Sequence, residues 1–365
     1  MKMILLSLLI CNQSFGQGIT QQLDSLMLKN FPADRPGAVL MVSKNGKVLY
    51  QKGFGLANID SKEKNTVATN FRMASVSKQF TAMGIMLLEK QQKISYEDNL
   101  LKFFPGWNKK VGQKITIRHL LTHSSGIWDY EALIPGEQHK QISDADVVSY
   151  LLNKDSTYFE PGVAFQYSNS GFCVLEQIVE ITAGSSFQQF MQQNIFKPLG
   201  MHNTRIFQAG EAIPNRAMGF AVNEKNEMVE SDQSITSATK GDGCVYTSMN
   251  DYQKWANSLI NNKLVNMGDQ LKLVNKPVPG TKNVNYGQGW FNALDGNNDM
   301  EFYHTGSTCG FSNVVKIIPK NKLIITFFSN IAGNHKTFYE AEAILKKYHI
   351  DGSEIEFKKI LDSTR

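Results

Sequence analysis

Three Ser-x-x-Lys quartets occur in the chain, at Ser61 to Lys64, Ser75 to Lys78 and Ser237 to Lys240. On a helix, side chains three residues apart share a face, so the lysine amine can reach the serine hydroxyl and help it attack a carbonyl carbon. Helical periodicity singles out one quartet. Val76, Phe80, Met83 and Leu87 recur at the spacing of one buried stripe, so Ser75 and Lys78 open a core helix. Ser61 sits in a charged stretch after Asn58-Ile59-Asp60, and Lys240 runs into Gly241-Asp242-Gly243. Both read as solvated turns. Ser75 is the candidate nucleophile, and Lys78 the group that helps move its proton.

Two more clusters carry groups suited to the same chemistry. Phe165-Gln166-Tyr167-Ser168-Asn169 follows a Pro161-Gly162 turn and precedes an apolar helix through Cys173, Leu175, Ile178 and Val179. Tyr167 and Asn169 are thus expected on a loop held by a rigid element, where a tyrosine hydroxyl can act first as general base and then as acid. Taken alone, Tyr167 reads as a half-buried aromatic before it reads as a catalytic group. The third cluster, Tyr303-His304-Thr305-Gly306-Ser307-Thr308-Cys309-Gly310, lies on a predicted strand. A strand edge beside a nucleophile can align an extended substrate and supply an N–H to an oxyanion hole, with Gly306 allowing the acyl group close. Taken alone, His304 reads as a surface strand histidine.

Together, Ser75-x-x-Lys78, Tyr167-x-Asn169 and His304-Thr305-Gly306, in that order, resemble the motif set of the penicillin-recognising serine hydrolases. The Tyr-x-Asn form resembles the branch of class C β-lactamases, D-alanyl-D-alanine peptidases, D-aminopeptidases and related esterases. His119-Leu120-Leu121-Thr122-His123-Ser124-Ser125-Gly126, Phe196 to Met201, Gly241-Asp242-Gly243 and Gly306 to Phe311 extend the likeness over most of the chain. The resemblance implies that Ser75 is acylated, that Lys78 and Tyr167 move the proton, and that Asn169 holds the lysine and the substrate amide. It also implies an oxyanion hole from the N–H groups of Ser75 and Ser307, and water as the final acyl acceptor.

His304 stands where β-lactamases of this branch usually carry lysine. An ordinary histidine is mostly neutral near pH 7.5, so His304 is expected to be a weaker clamp for a substrate carboxylate than lysine, with better binding below about pH 6.5. Cys309 replaces an expected glycine, and a bridge to Cys244 is one reading of that pair. The acyl donor stays open among peptide-like D-amino-acid substrates, which come first, then β-lactams and small esters. A module that binds penicillin or muropeptides without turnover is a further alternative.

His119 and His123 lie four apart but without the intervening glutamate of a metalloprotease helix, so they read as part of a structural loop before Trp128 and Tyr130. No metal and no cofactor is expected.

The elements that must position these residues are legible at both ends of the chain. Gly37 to Val42, an Asn45-Gly46 turn and Lys47 to Tyr50 read as a hairpin, and Met300 to His304, Ser312 to Ile318 and Leu323 to Phe328 as strands. Helices are expected near residues 19 to 30 and 337 to 348, with a mostly helical region from about 75 to 274. This pattern predicts an α+β fold in which strands from both ends form one antiparallel sheet, flanked by helices and carrying a helical insertion. The resemblance gives this the β-lactamase/D-alanyl-D-alanine peptidase form, as one domain over residues 17–365.

Of 365 residues, 42% are hydrophobic and 19% charged, the balance of a chain with a packed core rather than a disordered one. A net charge of +5 with no basic run excludes nucleic acid as an expected partner. The expected partner is a small-molecule or peptidoglycan-derived substrate. Met1-Lys2-Met3 and the short apolar run from Ile4 to Ile10 read as a signal peptide over residues 1–16, with export to the periplasm or the medium. Lipidation at Cys11 is the lesser alternative, because Ile10 stands where a small residue belongs. No other segment is long and apolar enough to span a membrane.

Overall fold

The computed structural model describes residues 3–294, 299–353 and 355, with side chains described from Gly16 onward. The residues of the expected signal peptide, Cys11 among them, carry no described side chains except Gly16. Among the described residues, no helix is long and apolar enough to cross a membrane.

The largest sheet has eight antiparallel strands: β1 (Ala38–Lys44), β2 (Lys47–Phe54), β3 (Lys276–Pro277), β4 (Val284–Gly287), β5 (Trp290–Leu294), β6 (Met300–Thr308), β7 (Phe311–Ile318) and β8 (Leu323–Ser329). Their order is β3-β4-β5-β6-β7-β8-β1-β2. The chain ends meet where β1 pairs with β8, Ala38 opposite Ser329 and Lys44 opposite Leu323. Asn45 and Gly46 both take positive φ, 53° and 76°, as a two-residue hairpin turn requires. This is the α+β architecture anticipated above.

Every residue of β7 and β8 is buried, because helices cover both faces of the sheet. Consecutive strand residues point to opposite faces. Phe327 meets Phe31, at the end of α1 (Met3–Asn30), with ring centroids 5.9 Å apart, while Phe328 meets Tyr252 at 5.4 Å. The second face therefore packs on the helical region: α2 (Lys78–Lys90), α3 (Asn169–Ala183) and α4 (Met249–Ile260). Among the described residues the last helix is α5 (His335–Lys347), which lies against α1.

Two expectations need correction. A single apolar stripe was expected on α2, yet Lys78 to Met86 are all buried. The helix runs through the centre of the molecule, and its buried polar residues bond internally, with Gln79 Nε2 left without a partner among the described residues. Gln79 accepts hydrogen bonds from the Tyr252 hydroxyl at 2.9 Å and from the Trp255 indole at 3.1 Å. Next to it on α2, Phe80 packs on the same Trp255 at 4.4 Å, and burial of side chains this size stabilises the fold by about 1.5–3 kcal/mol each. The region from 75 to 274 is also less purely helical than expected. Its strand Val245–Ser248 pairs with Asn70–Arg72 and with Arg205–Ile206 in a small separate sheet.

Candidate active site

The small sheet delivers the nucleophile. After Asn70–Arg72 the chain turns sharply at Ala74, whose φ of +50° costs a non-glycine residue about 1–2 kcal/mol, and then forms a single 3₁₀ turn, Ala74–Ser77, that feeds α2. Strain of this size persists only where neighbours hold it. The Met73 N–H donates to Val245 O at 2.8 Å, the Asn313 amide to Arg72 O at 2.8 Å, and the Val245 N–H to Ser77 Oγ at 3.0 Å. The Arg72 guanidinium is fixed on Ser237 Oγ at 2.6 Å, Ser237 O at 3.0 Å and Gly243 O at 3.3 Å. Ser75 itself stays half-exposed.

Lys78 has no solvent exposure and spends all three ammonium hydrogens. It donates to Ser75 Oγ at 3.1 Å, Asn169 Oδ1 at 2.9 Å and Asp242 O at 3.0 Å. Asp242 O is presented by the short helix Lys240–Gly243, which packs backbone to backbone on α3: a Cβ at Gly241 would lie 2.1 Å from Phe172 O. Only glycine permits that approach. The helix is anchored from below by Asp144, whose carboxylate accepts the N–H groups of Lys240 and Gly241 at 2.7 and 2.9 Å.

Asn169 opens α3, with Ser168 as its cap through the Gly171 N–H at 3.2 Å. Its amide links Lys78 to Glu131, donating to Glu131 Oε1 at 3.2 Å. The Tyr167 ring lies 5.0 Å from Lys78 Nζ, a cation–π contact, and its hydroxyl is buried with no hydrogen-bond partner among the described residues. A phenol left unbonded beside the Ser75–Lys78 pair can relay a proton, passing on its own as it takes another.

The third cluster lies on β6 as expected. Strand β5 pairs with β6 only as far as Phe291 opposite Tyr303, so the edge from His304 to Thr308 has no strand partner on that side. Ser307 and Thr308 line the cavity at Ser75, and His335 of α5 reaches Ser307 Oγ at 3.4 Å. The close approach at Gly306 differs in kind from the expectation. A Cβ there would lie 2.2 Å from Met73 O, so the glycine admits the backbone of the nucleophile turn itself, not the acyl group.

His304 is also corrected. It is buried, not on the surface: Nδ1–H donates to Thr305 O at 2.6 Å and Nε2 accepts from the Tyr286 hydroxyl at 3.1 Å. Burial, with Lys78 nearby, pushes its pKa down to about 3. Neither ring nitrogen is left to bind a carboxylate, and KM is expected to show no histidine-dependent improvement below pH 6.5. The shift has a consequence for stability instead. Below about pH 6.5 the unfolded chain takes up a proton that folded His304 refuses, so stability present above that pH is lost progressively toward about pH 3. The slope from this group approaches about 1.4 kcal/mol per pH unit. Urea midpoints at pH 7 and pH 5 should converge in His304→Gln relative to the wild type.

The cavity beside Ser75 is small, about 80 Å³, and its wall includes Arg72, Tyr130, Glu131, Asn169, Asp242 and Ser307. Two carboxylates on this wall, Glu131 and Asp242, were not singled out as site residues from the sequence. Asp242 is buried, receives the Tyr130 hydroxyl at 3.2 Å on Oδ2, and leaves Oδ1 without a partner among the described residues. Glu131 stands exposed at the mouth, with its carboxyl raised above the ordinary range by partial burial and by Asp129. The Gly241-Asp242-Gly243 stretch carried a signal for Asp242, whereas nothing in spacing or pattern marks Glu131. Trp128 stacks on Tyr158 at 4.7 Å outside this wall. Cys173, Cys244 and Cys309 are free thiols, so the Cys244–Cys309 bridge is absent. Cys309 instead occupies the β6–β7 hairpin turn at φ +43°, a left-handed position that glycine fills without strain.

Comparison with known proteins agrees with this geometry. The Beta-lactamase family model matches residues 26–349. Penicillin-binding protein 4* of Bacillus subtilis (strain 168) is 30% identical over 324 residues, covering 84% of this chain and 70% of that protein. Protein flp of Staphylococcus aureus (strain MW2) is 26% identical, covering 90% and 69%. Among solved structures, the octameric penicillin-binding protein homologue from Pyrococcus abyssi superposes with a TM-score of 0.77 at 23% identity, over 90% of this chain and 77% of that one. D-amino acid amidase from Ochrobactrum anthropi SV3 gives 0.75 at 21% identity, over 92% and 99%. At such identities the two structures speak to the fold. The family match over most of the length, joined to a serine and a buried lysine on one helix turn, assigns this chain to the beta-lactamase family of serine hydrolases.

Proposed function

We propose that this protein is an exported serine hydrolase that cleaves amides and short peptides of D-amino acids through an acyl-Ser75 intermediate. The observation that carries the substrate class is the exposed carboxylate of Glu131 at the mouth of the cavity. Two carboxylates, Glu131 and Asp242, face the space beside Ser75, while Arg72 is bonded to Ser237 and Gly243, and His304 is neutral and fully bonded. The cations Arg72 and Lys78 offset these two carboxylates, and exposed Glu131 at the mouth is the group able to pair with the free ammonium of an amino-acid amide. The D configuration is supported by structural neighbours of the same fold that are described as a D-amino acid amidase and a D-stereospecific amidohydrolase.

In this reading the Lys78–Tyr167 pair first gives up one proton to solvent, and Ser75 Oγ attacks the substrate carbonyl as its own proton passes to that pair. The backbone N–H groups of Ser75 and Ser307 stabilise the oxyanion. The C–N bond then breaks, the leaving amine takes the proton back, and water hydrolyses the acyl-serine ester by the reverse path. Residues 1–16 act as the export signal, which N-terminal sequencing of the secreted protein would reveal as a start at Gln17.

The test compares D-phenylalanine amide, its L enantiomer, and N-acetyl-D-phenylalanine amide by ammonia release. The D amide is expected to be preferred, and the acetylated amide, which lacks the ammonium, to be poor. Glu131→Gln is expected to raise KM for the D amide by roughly tenfold, the loss of one charge-assisted contact, and to leave the acetylated amide unchanged. Faster turnover of benzylpenicillin or of a D-alanyl-D-alanine peptide than of the D amide would overturn the assignment in favour of a β-lactamase or carboxypeptidase.

A further inference from the structure

The stretch from His119 to Gly126 takes no part in the chemistry described so far, yet it holds a histidine under two unfavourable conditions. His123 is buried at 1% exposure with its backbone at φ +52°, and its Nε2 has no hydrogen-bond partner among the described residues. Buried polar atoms without partners and left-handed non-glycine residues both cost stability, and where the fold retains them together a function is the first explanation to test.

From this position His123 contacts the Tyr167 loop on three sides. Its carbonyl accepts the Gln166 N–H at 2.8 Å and its Nδ1 accepts the Ser168 N–H at 3.1 Å. Its ring lies against the Tyr167 ring, with centroids 4.2 Å apart. The residues on either side of Tyr167 are thus tied to one side chain and its own carbonyl. Farther along the same two segments, Gly162 N–H donates to Ser124 O at 2.8 Å and Tyr158 N–H to Gly126 O at 2.7 Å. Burial, with Lys78 and His304 nearby, holds the imidazole well below its ordinary range, so Nδ1 remains an acceptor.

We propose that His123 is a positioning residue for Tyr167, clamping the backbone before and after it so that the unbonded phenol is presented to the Ser75–Lys78 pair. The inference rests on the acyl-Ser75 reading. A leucine or phenylalanine in its place would fill the space but leave the Ser168 N–H unpaired. Asparagine is the conservative replacement: its Oδ1 can accept the same N–H, and it tolerates positive φ better than other non-glycine residues.

The experiment measures the burst of p-nitrophenol released from p-nitrophenyl acetate, which reports acylation alone, for wild type, His123→Phe, His123→Asn and Ser75→Ala, with folding followed by circular dichroism. Misplacing a catalytic group by about 1 Å costs about 100-fold, so His123→Phe is expected to slow acylation by about that factor with KM little changed. His123→Asn is expected to recover most of the rate. If His123→Phe does not fold, His123→Gly replaces it, since glycine relieves the strained φ while removing the acceptor, and it is expected to be slow where asparagine is fast. Equal acylation rates in the asparagine variant and the acceptor-less variant would overturn the proposal, as would a loss confined to KM. A folded wild-type protein that releases p-nitrophenol no faster than Ser75→Ala would instead overturn the Ser75 reading and this inference with it.

Discussion

Ser75→Ala protein is expected to form no covalent adduct with an activated ester and to lose kcat/KM by roughly 10⁴-fold or more, the scale seen when the nucleophile of an acyl-transfer site is removed. Its stability should hardly change, because Ser75 is half-exposed and its hydroxyl makes one side-chain hydrogen bond, with Lys78. Lys78→Met is expected to behave differently on both counts. Catalysis should fall by about 10²–10⁴-fold through loss of proton transfer. The fold should also weaken, since Asn169 Oδ1 and Asp242 O would lose their donor inside the protein, at about 1–3 kcal/mol for each group left unsatisfied. Intact-mass analysis after brief exposure to p-nitrophenyl acetate and thermal melts on the three proteins separate these outcomes. An adduct that persists in Ser75→Ala would move the nucleophile elsewhere and end the present reading of the site.

Gly306→Ala carries the second large expected effect, from a single methyl group. The added Cβ would sit 2.2 Å from Met73 O and 3.2 Å from Ala74 Cβ. Neither can retreat freely, because Met73 is bonded to Val245 and Arg72 O to Asn313. Strand β6 and the nucleophile turn must therefore separate, at about 1–3 kcal/mol of stability. Separation moves Ser307 away from Ser75, so kcat is expected to fall on the order of 100-fold, with the larger share of the loss in kcat rather than KM. Wild-type acylation in Gly306→Ala would mean that the two backbones can part by the width of a methyl without disturbing the oxyanion site. In that case the contact would be packing alone.

The strands at the two chain ends were legible in the sequence for local reasons. Asn45-Gly46 advertises a turn with two positive φ values, and the apolar runs flanking it and those of β7 and β8 bear their own signature. Strands β4 and β5 passed unrecognised although they form an equally tight hairpin. Their turn is Gln288-Gly289, at φ 53° and 78°, and glutamine gives no sign of a left-handed backbone. The burial of α2 on nearly all sides was hidden too, because Lys78, Gln79 and Thr81 look like a polar face until their partners Asn169, Trp255 and Gly241 arrive from elsewhere in the chain.

What the sequence determined by itself was the chemistry in outline: a serine and a lysine one helical turn apart, a tyrosine and an asparagine ahead of a second helix, and a glycine-bearing strand. Those features are local, and short-range spacing on a helix or strand fixes which side chains share a face. The tertiary structure alone decided which groups surround the reacting atoms. It buried His304 against Tyr286, removing it as a carboxylate clamp, and it brought Glu131 and Asp242 to the cavity from segments 111 residues apart. Charge and burial at a site depend on what long-range packing places there. No spacing rule along the chain reaches that far.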